Sequence, residues 1–246
     1  MNSTQLTKRL CAIGCLVAAA CLSTSAFAQN ADVQAGAQLD PEPVAFSEEP
    51  ELLFELRVPS FYPTDSSFDA FSDDDHYTGG MLGAGYDIGS FTVPGLRAYL
   101  LYVGGGADQS RFNGDLELSW TRNLFMAAAD WGPELWGVFR PSARVGAGYA
   151  LQALEVDTAT SIKDDYAHDI VGLGSVGFEV STPEKMFGGV QLSILGEFGY
   201  QAQTNATWDE LEGGGNGGFE TQEASLGDLN TNGVFWDLGI GLRVDL

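Results

Sequence analysis

Apolar and polar residues alternate one by one over eight separate segments of the chain. In the first segment, Leu52, Phe54 and Leu56 share one face, and Glu55 and Arg57 lie between them. A period of two indicates a β-strand, because successive side chains of a strand point to opposite faces of the sheet. Strands of roughly nine to eleven residues have the length of a tilted strand that crosses a membrane. The eight segments are 52–58, 79–89, 96–103, 116 onward, 143–153, 170–180, 190–200 and 236–246.

The fourth segment is the least regular of the eight. It begins with Leu116, Leu118 and Trp120 on the apolar face and Glu117 on the polar face, and the alternation is then interrupted at Arg122. One extra residue in a strand shifts the phase of the faces, so we predict a β-bulge near this position.

The connections between the segments fall into two classes. Three are short and rich in Gly and Pro, at 89–95, about 130–137 and 181–189. Four are longer and mostly acidic, at 59–79, 104–115, 157–169 and 203–233. An even number of strands places all the short turns on one rim and all the long loops on the other. The pattern predicts an all-β fold, a single antiparallel up-and-down transmembrane β-barrel of eight strands over residues 51–246.

The composition of the two faces indicates which one is outside. One face carries Leu, Ile, Val, Phe and Tyr, which hydrocarbon accepts, and the other carries Gly, Ser, Gln, Arg and Glu, which suit a crowded polar interior. The alternative is a secreted β-sandwich, which would bury the apolar face and present Lys and Thr to water. In a membrane barrel, ten charged residues would form a network in the lumen: Glu55, Arg57, Asp87, Arg97, Glu117, Arg144, Glu179, Glu197, Asp237 and Arg243.

The N-terminal residues predict export. Lys8 and Arg9 precede the apolar run Leu10–Leu22, and Ala26-Phe27-Ala28 follows as a cleavage site. We therefore expect residues 1–28 to be a signal peptide, with a lipoprotein signal ending at Cys21 as the alternative. Residues 29–50 hold five acids, three prolines and no base, a composition typical of a disordered lead-in.

Charge and cysteine content exclude several functions. The 246 residues include 34 acids and 11 bases, for a net charge of −23, so nucleic acid is a poor partner. The three cysteines, Cys11, Cys15 and Cys21, all lie within the predicted signal peptide. Neither disulfides nor thiolate-bound zinc is therefore expected in the mature barrel.

The signal peptide, the closing segment 236–246 and the stretch RPSARVGAGYALQ at 140–152 resemble the small outer-membrane barrels of the OmpA/OmpX type. The resemblance implies a monomer in the outer membrane of a Gram-negative bacterium. It also implies that the partners are outer-membrane lipid, lipopolysaccharide and the barrel assembly machinery. Such barrels usually end on an aromatic residue, whereas this chain ends on Leu246.

Two acidic stretches are candidate cation sites. The stretch DLNTNG at 228–233 matches the first half of a calcium-binding loop, but the acid required six residues after the glycine is replaced by Gly239. The stretch SDDDH at 72–76 places three carboxylates in a row. We predict no cofactor, with Ca²⁺ or Mg²⁺ at these loops as the alternative to an Asx turn and a solvated loop. The candidate ligands are Asp228, Asn230, Asn232, Asp73, Asp74 and Asp75.

The two histidines, His76 and His168, are the candidates for a catalytic base, and both are expected in loops next to acids. Proximity along the sequence does not make a triad, so we predict no enzyme. The predicted function is a non-catalytic one, envelope structure or surface interaction through acidic extracellular loops. A narrow porin-like conduit is the first alternative, and a lipid A hydrolase or acyltransferase is the second.

Overall fold

The computed structural model describes residues 50–65, 67–68, 75–89, 92–111, 116–158, 161–183, 189–208 and 228–246. The predicted signal peptide and residues 29–49 of the predicted lead-in lie outside the described residues.

Eight long strands form a closed barrel in which every neighbouring pair is antiparallel. Strands that are consecutive along the chain are neighbours in the barrel, and the last barrel strand pairs with the first to close it. A separate two-stranded sheet pairs β8 with β9 between the last two barrel strands. The predicted fold class, an all-β, eight-stranded antiparallel up-and-down barrel, is confirmed. The strands are β1 Glu51–Pro63, β2 Tyr77–Asp87, β3 Leu96–Arg111, β4 Leu116–Trp131, β5 Phe139–Thr158, β6 Ser161–Ser181, β7 Val190–Gln203, β8 Ala206–Thr207, β9 Asp228–Leu229 and β10 Gly233–Asp245.

The hydrogen-bonded register fixes the tilt of the strands. A path from Tyr62 through the paired residue of each successive strand returns to β1 at Leu52, ten residues earlier. For eight strands about 4.8 Å apart, with about 3.3 Å per residue, that displacement corresponds to a tilt of about 40°. A barrel of this size has an interior that side chains can fill.

Each strand directs its apolar residues outward and its small or polar residues into the lumen. On β1, Phe54, Leu56 and Val58 are 46%, 50% and 60% exposed, whereas Glu55 and Arg57 are each 5% exposed. The faces assigned from the alternation agree with the structure in every barrel strand except β4. Among the described residues, no helix is both long enough and apolar enough to cross a membrane.

The prediction for β4 was wrong in two respects. Its ladders with β3 and β5 run without interruption from Leu116 to Trp131, so no bulge occurs near Arg122. Trp120 and Arg122 both point into the lumen, where they are 1% and 3% exposed. Since the phase never changes, Glu117 lies on the outer face.

The expected long loops at 104–115 and 157–169 were also wrong, because most of these residues continue the strands. The ladder of β5 with β6 extends to Thr158 and Ser161, whereas the ladder of β6 with β7 stops at Val171. Four strands therefore continue above the rim of the barrel as an open sheet. We name residues 107–111, 116–120, 154–158 and 161–165 the protruding sheet.

The three short connections lie on the opposite rim, as predicted. They occupy residues 88–95, 132–138 and 182–189, and each contains a glycine with positive φ: Gly95, Gly137 and Gly189. Glycine adopts this conformation without steric cost. Trp136 also has a positive φ, of 55°, which is uncommon for a residue with a side chain.

Candidate functional site

The lower part of the lumen, from the short-turn rim to mid-height, holds an ionic network of arginines and carboxylates. Its members among the described residues are Arg57, Arg97, Arg140, Arg144 and Arg243 with Glu51, Glu55, Asp87, Asp130, Glu134, Glu179, Glu197 and Asp237.

Arg57 is the centre of the network at mid-height. Its guanidinium lies 2.7 Å from a carboxylate oxygen of Glu55, 2.7 Å from one of Glu197 and 2.9 Å from one of Asp237. Arg144 faces it and donates hydrogen bonds of 2.9 and 3.0 Å to both oxygens of Glu55. The planar fork of arginine suits such bidentate pairing. The residues come from β1, β5, β7 and β10, so the network ties distant parts of the chain together.

A second group of ion pairs lies nearer the short-turn rim. Glu179 accepts a hydrogen bond of 2.6 Å from Arg97 and one of 2.8 Å from Arg243. Arg243 also contacts Glu134 at 3.2 Å, and Glu134 belongs to the turn between β4 and β5. That turn therefore brings a carboxylate to the lower mouth of the barrel. Asp130 joins the two groups, because it contacts both Arg140 and Arg144.

The structure places nine of the ten predicted network residues in the lumen, each at most 9% exposed: Glu55, Arg57, Asp87, Arg97, Arg144, Glu179, Glu197, Asp237 and Arg243. Glu117 was wrongly assigned to the lumen. It is exposed on the outer face of the protruding sheet, since the phase of β4 is opposite to the one expected.

Sequence reasoning missed four members of the network: Glu51, Asp130, Glu134 and Arg140. Parity contained a signal for two of them, because Arg140 is four residues from Arg144 on β5 and Glu51 is four residues from Glu55 on β1. Asp130 would have followed from the correct phase of β4. Glu134 lies in a turn, where alternation gives no information.

An apolar layer closes the lumen above the ionic network. Met81, Leu101, Val103, Leu124 and Met126 are each at most 8% exposed. The described internal cavity among them and their neighbours has a volume of about 20 Å³. A cavity of roughly this size holds a single water. The described lumen is therefore filled at this height.

A polar group centred on Arg122 lies above the apolar layer. The guanidinium of Arg122 donates to the Tyr77 hydroxyl at 2.9 Å and to the side-chain oxygens of Gln201 and Gln203 at 3.1 Å each. Arg122 is absent from the predicted network, because the break in the alternation was read as a bulge. All four residues are buried, so this group forms a second closure of the lumen.

A hydrophobic cap covers the upper end. Trp120 packs edge-on against Phe68, with ring centroids 5.8 Å apart, and donates a hydrogen bond of 2.8 Å to Gln152. Trp208 and Leu229 are 3% and 0% exposed. Both side chains therefore belong to the cap.

The residues proposed as cation ligands serve other contacts where they are described. The side-chain oxygen of Asn230 accepts a hydrogen bond of 2.8 Å from the backbone N–H of Asn232, which is an Asx turn. The side-chain oxygen of Asn232 accepts from the backbone N–H of Gln203. Asp75 is exposed. Asp73, Asp74 and the side chain of Asp228 lie outside the described residues. No group of three His, Cys, Asp or Glu side chains suitable for a metal occurs in the described part of the chain.

Both histidines stack on tyrosines. The ring centroid of His76 lies 5.4 Å from that of Tyr62, and that of His168 lies 5.7 Å from that of Tyr149. His168 was expected in a loop but belongs to β6. Its side chain is exposed outside the barrel and that of Asp169 is buried within it, so these neighbours do not form a catalytic pair.

A continuous apolar belt surrounds the barrel. Outward-facing residues on β1 run from Leu52 to Tyr62, and ten residues at about 3.3 Å each, tilted by about 40°, span about 25 Å. Trp236 donates a hydrogen bond of 3.3 Å to the Tyr62 hydroxyl at the upper edge, and Trp131 donates to the carbonyl of Pro94 at the lower one. A belt of this height bounded by Trp and Tyr is the signature of a membrane-spanning barrel.

No protein-family model matches the chain, and no curated protein matches it either. Several solved structures are similar. Neisserial surface protein A (NspA) is 16% identical, covering 82% of this chain and 99% of its own, with a TM-score of 0.39. A major outer membrane protein from Thermus thermophilus is 13% identical, covering 78% and 99%, with a TM-score of 0.48. The N-terminal β-barrel domain of Pseudomonas aeruginosa OprF is 14% identical, covering 79% and 97%, with a TM-score of 0.36.

Proposed function

We propose that this protein is an outer-membrane β-barrel of a Gram-negative bacterium, with a non-catalytic role in envelope structure or surface interaction. The observation that supports this proposal is the inverted burial of the barrel, with apolar side chains exposed and charged side chains enclosed. In water, the exposed Leu, Ile, Val and Phe side chains would form a patch far larger than soluble monomers present. In hydrocarbon, the same surface is favourable, and the closed ladder leaves no strand edge unpaired within the belt.

The interaction surface of this proposal is the protruding sheet, which takes the place of the acidic loops expected at 104–115 and 157–169. Its outer face carries the exposed carboxylates Asp108, Glu117 and Glu155. Glu117 lies directly opposite Asp157 across the sheet, and like charges in that position repel. A surface of this composition favours cationic partners and disfavours nucleic acid. The protein would be a monomer inserted by the barrel assembly machinery and surrounded by lipid and lipopolysaccharide.

A passive structural role fits the lumen better than a porin-like conduit. Ions would have to cross the ionic network, the apolar layer and the group around Arg122 in turn. The nine network residues that lie in the lumen, the residues of the apolar layer and those of the Arg122 group are each at most 9% exposed. An ion that crosses an apolar layer loses its hydration without compensation.

The test combines insertion with conductance. The purified barrel, refolded into liposomes, should migrate faster on SDS gels before boiling than after boiling, because a closed barrel resists unfolding. Planar bilayers containing the inserted protein should then show no steady single-channel current. Absence of the mobility shift would contradict the membrane barrel, and a steady current would favour the conduit.

Lipid A from cells that express the protein should be unchanged, and a modified lipid A would favour the enzyme.

A further inference from the structure

An apolar groove of about 610 Å³ lies on the outer surface of the barrel, among residues of β7, β10, β1, β2, β3 and β4. This volume falls within the range of about 300–1,000 Å³ that is usual for small-molecule sites. Most residues that line it are Leu, Ile, Phe, Tyr and Ala.

The register of the barrel explains the shape of the groove. Outward side chains that lie opposite each other on neighbouring strands form rows across the barrel. One wall of the groove is the row that includes Leu56 and Tyr102. The other wall is the row displaced by two residues along each strand, which includes Phe54 and Leu100. The residues between the rows direct their side chains into the lumen, or have none in the case of Gly83. They expose only backbone on the outer surface, and this backbone forms the floor of the groove. The first wall consists of Ile240, Leu56, Leu82, Tyr102 and Phe125, and the second of Leu192, Leu242, Phe54, Ala84 and Leu100.

The groove is confined to one side of the barrel. Beyond Leu100 the second row continues through Ala127, Ala147 and Gly172. Because these three small residues are consecutive, the second wall ends at Leu100, whereas the single Ala84 within the wall is flanked by Phe54 and Leu100. The part of the groove with two walls is therefore confined to β10, β1, β2 and β3.

The dimensions of the groove match one lipid chain in one leaflet. The trough crosses five strand spacings of about 4.8 Å, and at a tilt of about 40° each spacing rises about 3 Å, for a total of about 15 Å. Half of a hydrocarbon core about 30 Å thick has the same height. The lower end is at Leu192, close to the start of β7 at the short-turn rim.

From this geometry we infer that the groove is a binding site for one acyl chain of a phospholipid in the leaflet at the short-turn rim. The inference rests on the proposed function, since only a barrel in a bilayer presents this surface to lipid. Both walls flank the chain between β10 and β3, and one wall flanks it at each end of the groove. Beyond β4 the small residues Ala127, Ala147 and Gly172 leave contact on one side only. The bound lipid exchanges more slowly than the lipids around the rest of the belt.

The experiment uses the full barrel in nanodiscs made of a phospholipid with a photoreactive diazirine in the acyl chain. After illumination, mass spectrometry of the peptides should show several-fold more labelling of β1 and β2 than of the outward residues of β5 and β6. Phe54→Ala lowers one wall and should reduce the excess toward the level of the rest of the belt. Phe178→Ala is the matched control, because Phe178 is similarly exposed, at 42% against 46% for Phe54, and lies outside the groove.

Ala84→Trp, which fills the groove, gives a second variant with the same expected loss of labelling. Even labelling around the belt of the inserted wild-type barrel, or equal losses in the Phe54 and Phe178 variants, would overturn the inference. Those results would leave the proposed function intact, because the barrel would still be labelled. A protein that does not insert and is not labelled at all would instead contradict the proposed function. If the variants do not fold, the labelling pattern of the wild type decides alone.

Discussion

Replacing Arg57 with methionine tests whether the buried ionic network stabilises the barrel. Arg57 binds three carboxylates at 2.7 to 2.9 Å, and their side chains are 1–6% exposed. Methionine fills much of the same volume without the charge. The variant therefore removes the ion pairs while largely preserving the packing around the lumen.

The expected loss of stability follows from the ion pairs that each carboxylate loses in the variant. Glu55 and Glu197 keep Arg144 at 2.9 and 3.3 Å. Among the described ion pairs, Asp237 has Arg57 as its cationic partner. The variant thus leaves the buried carboxylate of Asp237 without its ion-pair partner among the described pairs, which costs about 3–5 kcal/mol. This is a large part of the roughly 5–15 kcal/mol by which domains are usually stable.

The assay is urea unfolding of the refolded barrel in detergent, followed by tryptophan fluorescence and by migration of unboiled samples. Adding Asp237→Asn to the Arg57→Met variant should recover about 1–3 kcal/mol, because the orphaned charge is removed. The matched control is Asp108→Asn, which removes an exposed carboxylate and should change stability by at most about 0.5 kcal/mol. A loss below about 1 kcal/mol for Arg57→Met would mean that water screens the network, and the closed lumen would then be wrong.

Three further substitutions, two of them paired with a control variant, test other parts of the structure. Glu179→Gln should lower the free energy of unfolding by several kcal/mol in the same assay, whereas Glu117→Gln should leave it nearly unchanged. Equal effects of the two substitutions would contradict the phase of β4. Gly148→Ala should cost about 1–3 kcal/mol, because a Cβ there would lie 2.8 Å from Met126 Cα. Gly80→Ala, with nothing within 4 Å of the added atom, should cost nothing measurable by the same assay. Trp120→Phe should lower the free energy of unfolding by about 1–3 kcal/mol, because it leaves the buried side-chain oxygen of Gln152 without its donor. An unchanged urea midpoint would mean that the indole is exposed to solvent.

The alternation of residues determined the strands and, for most of them, the face that points outward. Leu52 to Val58 could be assigned from the sequence because a strand has a period of two and the belt accepts only apolar side chains. The same argument placed Arg144 and Asp237 inside. The argument assigned Trp120 to the wrong face, because a large aromatic side chain is equally favourable in the hydrophobic cap and in lipid.

The tertiary structure decided which charges meet and how far the strands extend. Arg57 pairs with Glu197 and Asp237 because the register brings β7 and β10 to the height of β1, and a displacement of ten residues around the barrel cannot be read from any single strand. Residues 104–115 and 157–169 read as acidic loops, yet most continue as strands, since each is paired by its neighbour across a hairpin. Alternation is local, whereas pairing and closure depend on residues far apart in the chain, so only the folded barrel fixes them.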